Sequence, residues 1–282
     1  MTQYDEYSEY GEYGEYGEAP SGVDPNTPSV ARMYDYFLGG KDNFEADREA
    51  AKKLIALVPN LPEFARANRE FLGRVVRFLA EEGIDQFLDV GAGLPTQQNV
   101  HQVAQAVAPQ ARVVYVDNDP IVLAHGRALL AGSPGAVVVR GDINDPEAIL
   151  GDPDLRAHLD LSRPVAVLML SVLNVVPDDA RAEAIVAAFR AAMAPGSYLV
   201  VSHGYTGEVG SATDREVREV YRGSSAGSSK PRDHAQIGAY FDGLELLEPG
   251  IVPVAAWRPE REAEAEIDLS RPNILAAVGR VP

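Results

Sequence analysis

The pattern of apolar positions changes character near residue 84. Before that point, residues 64–82 carry an apolar stripe at helical spacing, formed by Phe64, Phe71, Leu72, Val75, Phe78 and Leu79. After it, short apolar runs alternate with helix-patterned segments, which is typical of an α/β chain. We predict strands over residues 86–90, 113–117, 136–140, 165–170 and 198–202, and two more over 251–256 and 273–278.

Three helices are predicted before the first strand. Ser29 can cap a short helix that runs through Leu38 and ends at Gly39-Gly40, and a second helix covers residues 47–58. Together with the apolar stripe, they predict an N-terminal helical cap over residues 28–83. Residues 84–282 are then an α/β domain in which βαβ units give a mostly parallel, doubly wound sheet of seven strands. The last two strands are close enough in sequence to form an antiparallel edge pair.

Residues 1–27 differ from the rest of the chain in composition. Tyr and Glu each recur there at every third position, and the first basic residue is Arg32. A period of three fits neither a helix nor a strand. We therefore predict a disordered acidic tail.

Composition narrows the possible partners and sites. The 282 residues carry a net charge of −17, which disfavours binding to the phosphates of a nucleic acid. There is no cysteine, which excludes disulfides and thiolate metal sites and suits a reducing cytoplasm. No stretch has the length and apolarity of a membrane span or a signal peptide. We expect a cytoplasmic protein that uses no metal, nucleic acid or membrane, and its oligomeric state stays open.

The first predicted strand contains Asp89 and leads into a glycine-containing turn. Gly91 and Gly93 lack a Cβ, so the backbone there can turn tightly and approach a ligand. We expect Thr96 to cap the next helix. A dinucleotide site would need a third glycine in place of Thr96 and an N–H that Pro95 lacks, and Asp89 would meet the phosphates of NAD. A cationic sulfonium ligand with an α-amino group fits Asp89 better.

Two later strands also end in carboxylates. Asp117 is placed to accept both ribose hydroxyls of an adenosine, because Asp119, before a proline, is the better helix cap. Asp142 can accept from the adenine amino group while Ile143 packs on the ring, although Asp142 by itself is equally typical of a turn. Together the three strand ends favour S-adenosylmethionine over NAD, FAD or ATP. The predicted cofactor-binding residues are Asp89, Gly91, Gly93, Asp117, Asn118, Asp142, Ile143 and Ser171.

Several long motifs resemble one known family. They are residues 28–43 (PSVARMYDYFLGGKDN), 65–69 (ARANR), 86–96 (QFLDVGAGLPT), 114–120 (VYVDNDP), 195–199 (PGSYL), 202–203 (SH) and 257–259 (WRP). The chain from residue 28 onward resembles actinomycete S-adenosylmethionine-dependent methyltransferases once catalogued as a domain of unknown function. The resemblance implies a Rossmann-like class I methyltransferase fold and S-adenosylmethionine as cofactor. It names no acceptor, and Asn174 stands where the family usually has His.

Catalytic and acceptor-side residues are harder to select. Methyl transfer needs a general base only when the nucleophile starts protonated, and His203 is a weak candidate for one. Residues that could line the acceptor side, or equally pin the cap to the sheet, are Tyr34, Lys41, Asn43, Asn68, Arg69 and Asn174. We expect a methyltransferase that acts on a small molecule. A non-catalytic adenosylmethionine-binding or sensing protein is the alternative, and a dehydrogenase is the third possibility.

Overall fold

The computed structural model describes residues 22–282 except for 97, 134, 206, 208–211, 260–268 and 270–272. Most of the predicted acidic tail, up to residue 21, lies outside the described residues. Residues 22–27 were also assigned to the tail, yet they lie against the first helix, where the Arg32 guanidinium donates to the carbonyls of Asp24 and Thr27. No described helix combines the length and apolarity needed to cross a membrane.

Helices and strands alternate after an all-helical start. The helices are α1 (Val30–Phe37), α2 (Glu45–Leu57), α3 (Leu61–Glu81), α4 (Val100–Val107), α5 (Pro120–Leu130), α6 (Pro146–Gly151), α7 (Pro153–His158), α8 (Asp179–Ala191), α9 (Ala212–Arg222) and α10 (His234–Ala239). The strands are β1 (Gln86–Val90), β2 (Arg112–Asp117), β3 (Ala136–Arg140), β4 (Ala166–Leu170), β5 (Tyr198–Tyr205), β6 (Glu245–Leu246), β7 (Val252–Pro253) and β8 (Asn273–Arg280).

The sheet has the order β3-β2-β1-β4-β5-β8-β6, and β7 pairs with β8 outside this path. Strands β1 to β5 are mutually parallel, as predicted, while β8 runs antiparallel to β5. The expected pairing of the last two predicted strands is confirmed for β7 and β8. Their position as an edge pair is wrong, because β8 lies between β5 and β6. The strand order reverses between β1 and β4, which is the point where open α/β sheets bind ligands.

Alternate residues of the central strands bury against the two opposite faces of the sheet. In β4, Val167 and Met169 pack with residues of α6, α7, α8 and α10. The intervening Ala166 and Leu168 pack on the other face with residues of α3, α4 and α5. A period of two with both sides apolar is what a central parallel strand requires. It explains why β1 and β4 could be predicted from sequence.

The cap has its own apolar cluster. Met33 and Phe37 of α1 and Leu54 of α2 are buried there, and Val217 and Tyr221 of α9 pack against them. We made no prediction for α9, although its apolar residues fall on one face of the helix and could have revealed it. Helix α3 belongs to both parts of the molecule, since its later residues lie in the core beside the sheet. The cap is therefore discontinuous in sequence.

A network of polar side chains anchors α1. Ser29 does not cap this helix with its side chain as predicted; its hydroxyl donates to Asp119 Oδ2 at 2.5 Å instead. Its backbone N–H donates to Asp47 Oδ1 at 2.8 Å. Arg32 pairs with Asp47 at 2.9 Å, and both side chains are buried, at 4% and 0% exposed. This network holds α1 both to α2 and to the loop after β2.

Candidate functional site

A cavity of about 770 Å³ opens at the carboxyl ends of the parallel strands, under the cap. Its size falls within the usual range for small-molecule sites. The predicted cofactor residues Asp89, Gly91, Gly93, Asp117, Asn118, Asp142, Ile143 and Ser171 all line it. They come from four separate strand ends, so the fold brings the whole predicted set together. Tyr34, Asn68 and Arg69 line the same cavity from α1 and α3.

The turn after β1 depends on glycine at two positions. Gly91 and Gly93 have φ angles of 76° and 66°, in the left-handed region that side chains with a Cβ rarely adopt. A Cβ on Gly91 would also lie 2.3 Å from Val172 Cγ2. The turn after β1 and the segment after β4 therefore touch at Gly91, and only glycine allows that approach.

Asp117 ends β2 and holds the glycine turn in place. Its Oδ2 accepts from the Gly93 N–H and its Oδ1 from the Asp119 N–H, both at 2.9 Å. The predicted role of this carboxylate is ligand binding alone, and the two backbone bonds correct that expectation. Each oxygen keeps a further lone pair for a ligand. Burial raises the pKa of Asp117 above its ordinary value. Asp119 caps α5 as predicted, accepting from the Ile121 N–H.

Asp89 lines the cavity and is only 5% exposed. Burial raises its pKa to about 7, with a further contribution from the charge of Asp117. The nearby Arg69 guanidinium opposes this rise. A buried carboxyl of this kind favours a ligand that brings positive charge.

Residues that follow β3 and β2 also line the cavity. Asp142 follows β3 and accepts from the backbone and side-chain N–H groups of Asn144, at 2.9 and 3.0 Å. It therefore forms the turn that was its alternative interpretation, and it also lines the cavity. Ile143 beside it is 7% exposed and presents an apolar surface. Asn118 is an exposed lining residue.

Residues 16–282 match the model of the S-adenosyl methyltransferase family. The chain belongs to this family. It is 44% identical to a protein from Thermobifida fusca described as a candidate methyltransferase, with a TM-score of 0.86 and coverage of 94% of this chain and 99% of that one. A DUF574-family protein from Streptomyces avermitilis is 42% identical, with a TM-score of 0.84 and coverage of 92% and 99%. No curated protein matches the chain.

This membership confirms the resemblance and the class I methyltransferase fold predicted from the sequence. The cofactor is therefore S-adenosylmethionine, and the cavity wall suits it chemically. Asp89 and Asp117 can accept from ammonium and hydroxyl groups, and Ile143 offers a surface for a flat ring. Asp89, next to the glycine turn, places a carboxylate where NAD would bring its phosphates.

Four of the predicted functional residues are not among those that line the cavity. Lys41 is exposed, and Asn43 is buried within the cap, where its amide donates to Asp35 Oδ2 at 2.8 Å. The Asn174 side chain accepts from the Gly204 N–H at 3.0 Å and donates to the Ser171 carbonyl at 3.3 Å. It ties the segment after β4 to β5, which is a structural role.

His203 is the fourth predicted functional residue that does not line the cavity. Its surroundings explain why it is a poor base. It is fully buried, and Arg232 donates to its Nε2 at 2.9 Å while Nδ1 lies 2.9 Å from the Gly204 carbonyl. Burial lowers the pKa of His203 to about 4, and the Arg232 charge adds to this effect. Both ring nitrogens are thus engaged by the protein. Thr96 also differs from expectation, since α4 begins at Val100 and Asn99 stands at its N-cap position.

Some lining residues were missed by sequence analysis. Asp35 projects from α1 into the cavity wall and is 6% exposed, and burial raises its pKa. Ser225 and Ala226 line the cavity from the loop after α9. That loop is fixed because the Ser225 N–H donates to the Pro28 carbonyl at 2.8 Å. Only the folding of α9 onto the cap brings these two residues to the site.

Proposed function

We propose that the protein transfers a methyl group from S-adenosylmethionine to a small-molecule acceptor bound in the same cavity. One observation carries the proposal. Residues selected from four strand ends meet in one cavity of about 770 Å³, with a helical cap above it. Such a volume accommodates a cofactor with a small partner, whereas a macromolecular acceptor would need an open surface.

We place the adenosine along β2 and β3. Asp117 would accept from the ribose hydroxyls with the lone pairs left over from its two backbone bonds. Ile143 would pack on the adenine ring, and Asp142 would accept from its amino group. Asn118 and the glycine turn would complete this part of the wall.

We place the methionine end of the cofactor between Asp89 and Arg69. The α-ammonium would pair with the buried carboxylate of Asp89, and the α-carboxylate with the guanidinium of Arg69. Opposite charges at these two positions support this orientation. They are near each other, because the Arg69 charge lowers the pKa of Asp89. Arg69 was predicted as an acceptor-side residue, and this placement moves it to the cofactor.

The chain itself contributes position and exclusion of water. Bound S-adenosylmethionine supplies a methyl group that is already activated by its positive sulfur. The protein has to align the acceptor with that methyl and exclude solvent, so proximity accounts for most of the acceleration. Helices α1 and α3 cover the site and can do both. A net charge of −17 supports a partner other than a nucleic acid, and the lack of cysteine supports a cytoplasmic setting.

Calorimetric titration with S-adenosylhomocysteine and with NAD tests the proposal. We expect binding of the first and none of NAD. Asp117→Ala should lose about 1.5–3 kcal/mol of binding free energy, hence roughly tenfold to a hundredfold in affinity. Asp117→Asn keeps an acceptor for the glycine turn and should show a similar loss.

Asp85→Ala is the matched control. Asp85 precedes β1 at the opposite end of the sheet and pairs with Arg163 at 2.8 Å on the surface. Its loss should leave affinity unchanged. Equal affinity in folded Asp117 variants would contradict the ribose placement. Binding of S-adenosylhomocysteine without methyl transfer to any acceptor would favour the sensing alternative.

A further inference from the structure

Three side chains meet where the cap crosses the end of β4. Asn68 of α3 donates through Nδ2 to the hydroxyl oxygen of Tyr34 at 3.1 Å and to Ser171 Oγ at 3.2 Å. Tyr34 in turn donates its own hydrogen to the Ala65 carbonyl at 3.1 Å. Its oxygen can then only accept from Asn68, which fixes the orientation of the amide. We call these three residues the Asn68 cluster.

That orientation leaves the amide oxygen without a partner. Asn68 is 4% exposed, and its Oδ1 is buried with no hydrogen bond to any group in the described ranges. A buried acceptor left unsatisfied costs free energy, so native proteins seldom keep one without a reason. All three residues of the cluster line the cavity. A ligand that donates an N–H here would satisfy the oxygen.

The cluster lies beside the place proposed for the methionine end of the cofactor. Ser171 follows β4 directly, with a φ of 54°, and its N–H donates to the Ser202 carbonyl at 2.9 Å. The next residue, Val172, is the one that touches Gly91 in the turn after β1. The Asn68 cluster is therefore adjacent to the turn after β1, which follows Asp89, and Asn68 itself directly precedes Arg69.

The charges of the wall restrict what can bind there. The charged lining residues are Asp35, Asp89, Asp117, Asp119, Asp142 and Asp145 against Arg69 and Arg140. An acceptor carrying a carboxylate or phosphate would be repelled by this excess of aspartates. Among the described lining residues there is neither His nor Lys, so only carboxylates could take a proton from an alcohol. A neutral amine needs no such help, since its lone pair is available before any proton leaves.

We propose that the methyl acceptor is a small amine and that Asn68 Oδ1, oriented by Tyr34 and Ser171, positions it by accepting one of its N–H bonds. This inference rests on the proposed function and names its substrate class. The amine lone pair forms the new N–C bond as the C–S bond breaks, and its electron pair stays on sulfur as S-adenosylhomocysteine. The methylated nitrogen then releases one proton to water. Asn68 is a positioning residue and exchanges no proton itself.

Sinefungin provides a defined probe, because a carbon bearing an ammonium group replaces the methylated sulfur. Its nitrogen takes the place of the transferred methyl carbon, and its N–H groups point toward the position of the acceptor. We expect wild-type protein to bind sinefungin about tenfold to a hundredfold more tightly than S-adenosylhomocysteine in calorimetric titrations. Asn68→Leu should abolish this preference and leave affinity for S-adenosylhomocysteine within about twofold. Asn68→Asp should keep or increase it, since a carboxylate attracts the ammonium more strongly.

Asn144→Ala is the control, because Asn144 lines the same cavity at its adenine end. It should change both affinities equally and keep their ratio. No preference in wild-type protein, or a preference that survives in Asn68→Leu, would overturn the inference alone. If Asn68→Leu fails to fold, a reduced preference in Asn68→Asp would overturn it. Failure of S-adenosylhomocysteine to bind wild-type protein would instead reject the proposed function.

Discussion

Asp89 makes cofactor binding dependent on pH. Its pKa is raised to about 7 by burial and by the nearby Asp117, and Arg69 limits the rise. Below that pH the free carboxyl holds a proton, which an incoming ammonium must displace. Affinity for S-adenosylhomocysteine should therefore rise with pH, by up to about tenfold for each pH unit up to 7, and level off above pH 7. Calorimetry between pH 5.5 and pH 8.5 measures this dependence.

Asp89→Asn removes the titrating group and serves as the control. The variant should bind more weakly at pH 8 and lose most of the dependence between pH 5.5 and pH 7. In the free protein, stability changes with pH in the direction opposite to ligand affinity. Because the folded pKa lies above the ordinary value of 3.8, ionisation between about pH 4 and pH 7 destabilises the empty fold. An affinity that is flat across this range in the wild type would contradict the placement of the α-ammonium at Asp89.

Strand ends decide which residues could be predicted at the site. Asp89, Asp117 and Asp142 follow from local patterns, since each stands at or next to the end of a strand whose apolar run is legible in the sequence. The prediction that His203 ends the fifth strand was wrong for a related reason. The predicted fifth strand stopped at residue 202, but β5 continues to Tyr205 because β8 pairs along it, with His203 opposite Leu275. Pairing with a distant segment is not visible in local periodicity, so the prediction places an interior residue at a strand end.

At the scale of elements, the parallel core was predictable and the complete cap was not. Strands β1 to β5 bury both faces, so their apolar runs are sufficient to locate them. Helix α9 joins the cap across a gap of more than a hundred residues, and only its tertiary packing on α2 brings Ser225 to the cavity. A periodic pattern identifies a helix, but it does not identify the partner against which the helix packs.

The ion pair between α1 and α2 should matter more than its surface counterparts. Arg32 and Asp47 are almost fully buried, so Asp47→Ala would leave the guanidinium buried without its carboxylate. Removing one partner of such a pair costs about 3–5 kcal/mol. We expect this loss in the free energy of unfolding, measured by urea denaturation with circular dichroism.

Glu45→Ala is the control, since Glu45 pairs with Arg48 on the surface at 2.7 Å. This substitution should cost less than about 1 kcal/mol. Equal effects of the two variants would contradict a structural role for the buried pair.

For the whole molecule, the position of the cavity links ligand binding to folding. Its wall takes residues from the cap, from four strand ends and from the loop after α9. These segments are separated widely in sequence and come together only in the native fold. The unfolded chain therefore has no site, and a ligand that fills the cavity stabilises the native state as a unit.

Bound S-adenosylhomocysteine should raise the free energy of unfolding and the Tm. At a concentration about a hundred times its Kd, S-adenosylhomocysteine should add about 2.7 kcal/mol to the free energy of unfolding. For a chain of this length, that corresponds to a rise in Tm of about 5–10 °C. Thermal denaturation followed by circular dichroism measures it, with NAD at the same concentration as the control. A similar shift with NAD would contradict a site selective for adenosylmethionine, because the carboxylates of this wall disfavour phosphates. No shift with S-adenosylhomocysteine, despite calorimetric binding at the same temperature range, would mean that the unfolded chain binds it too.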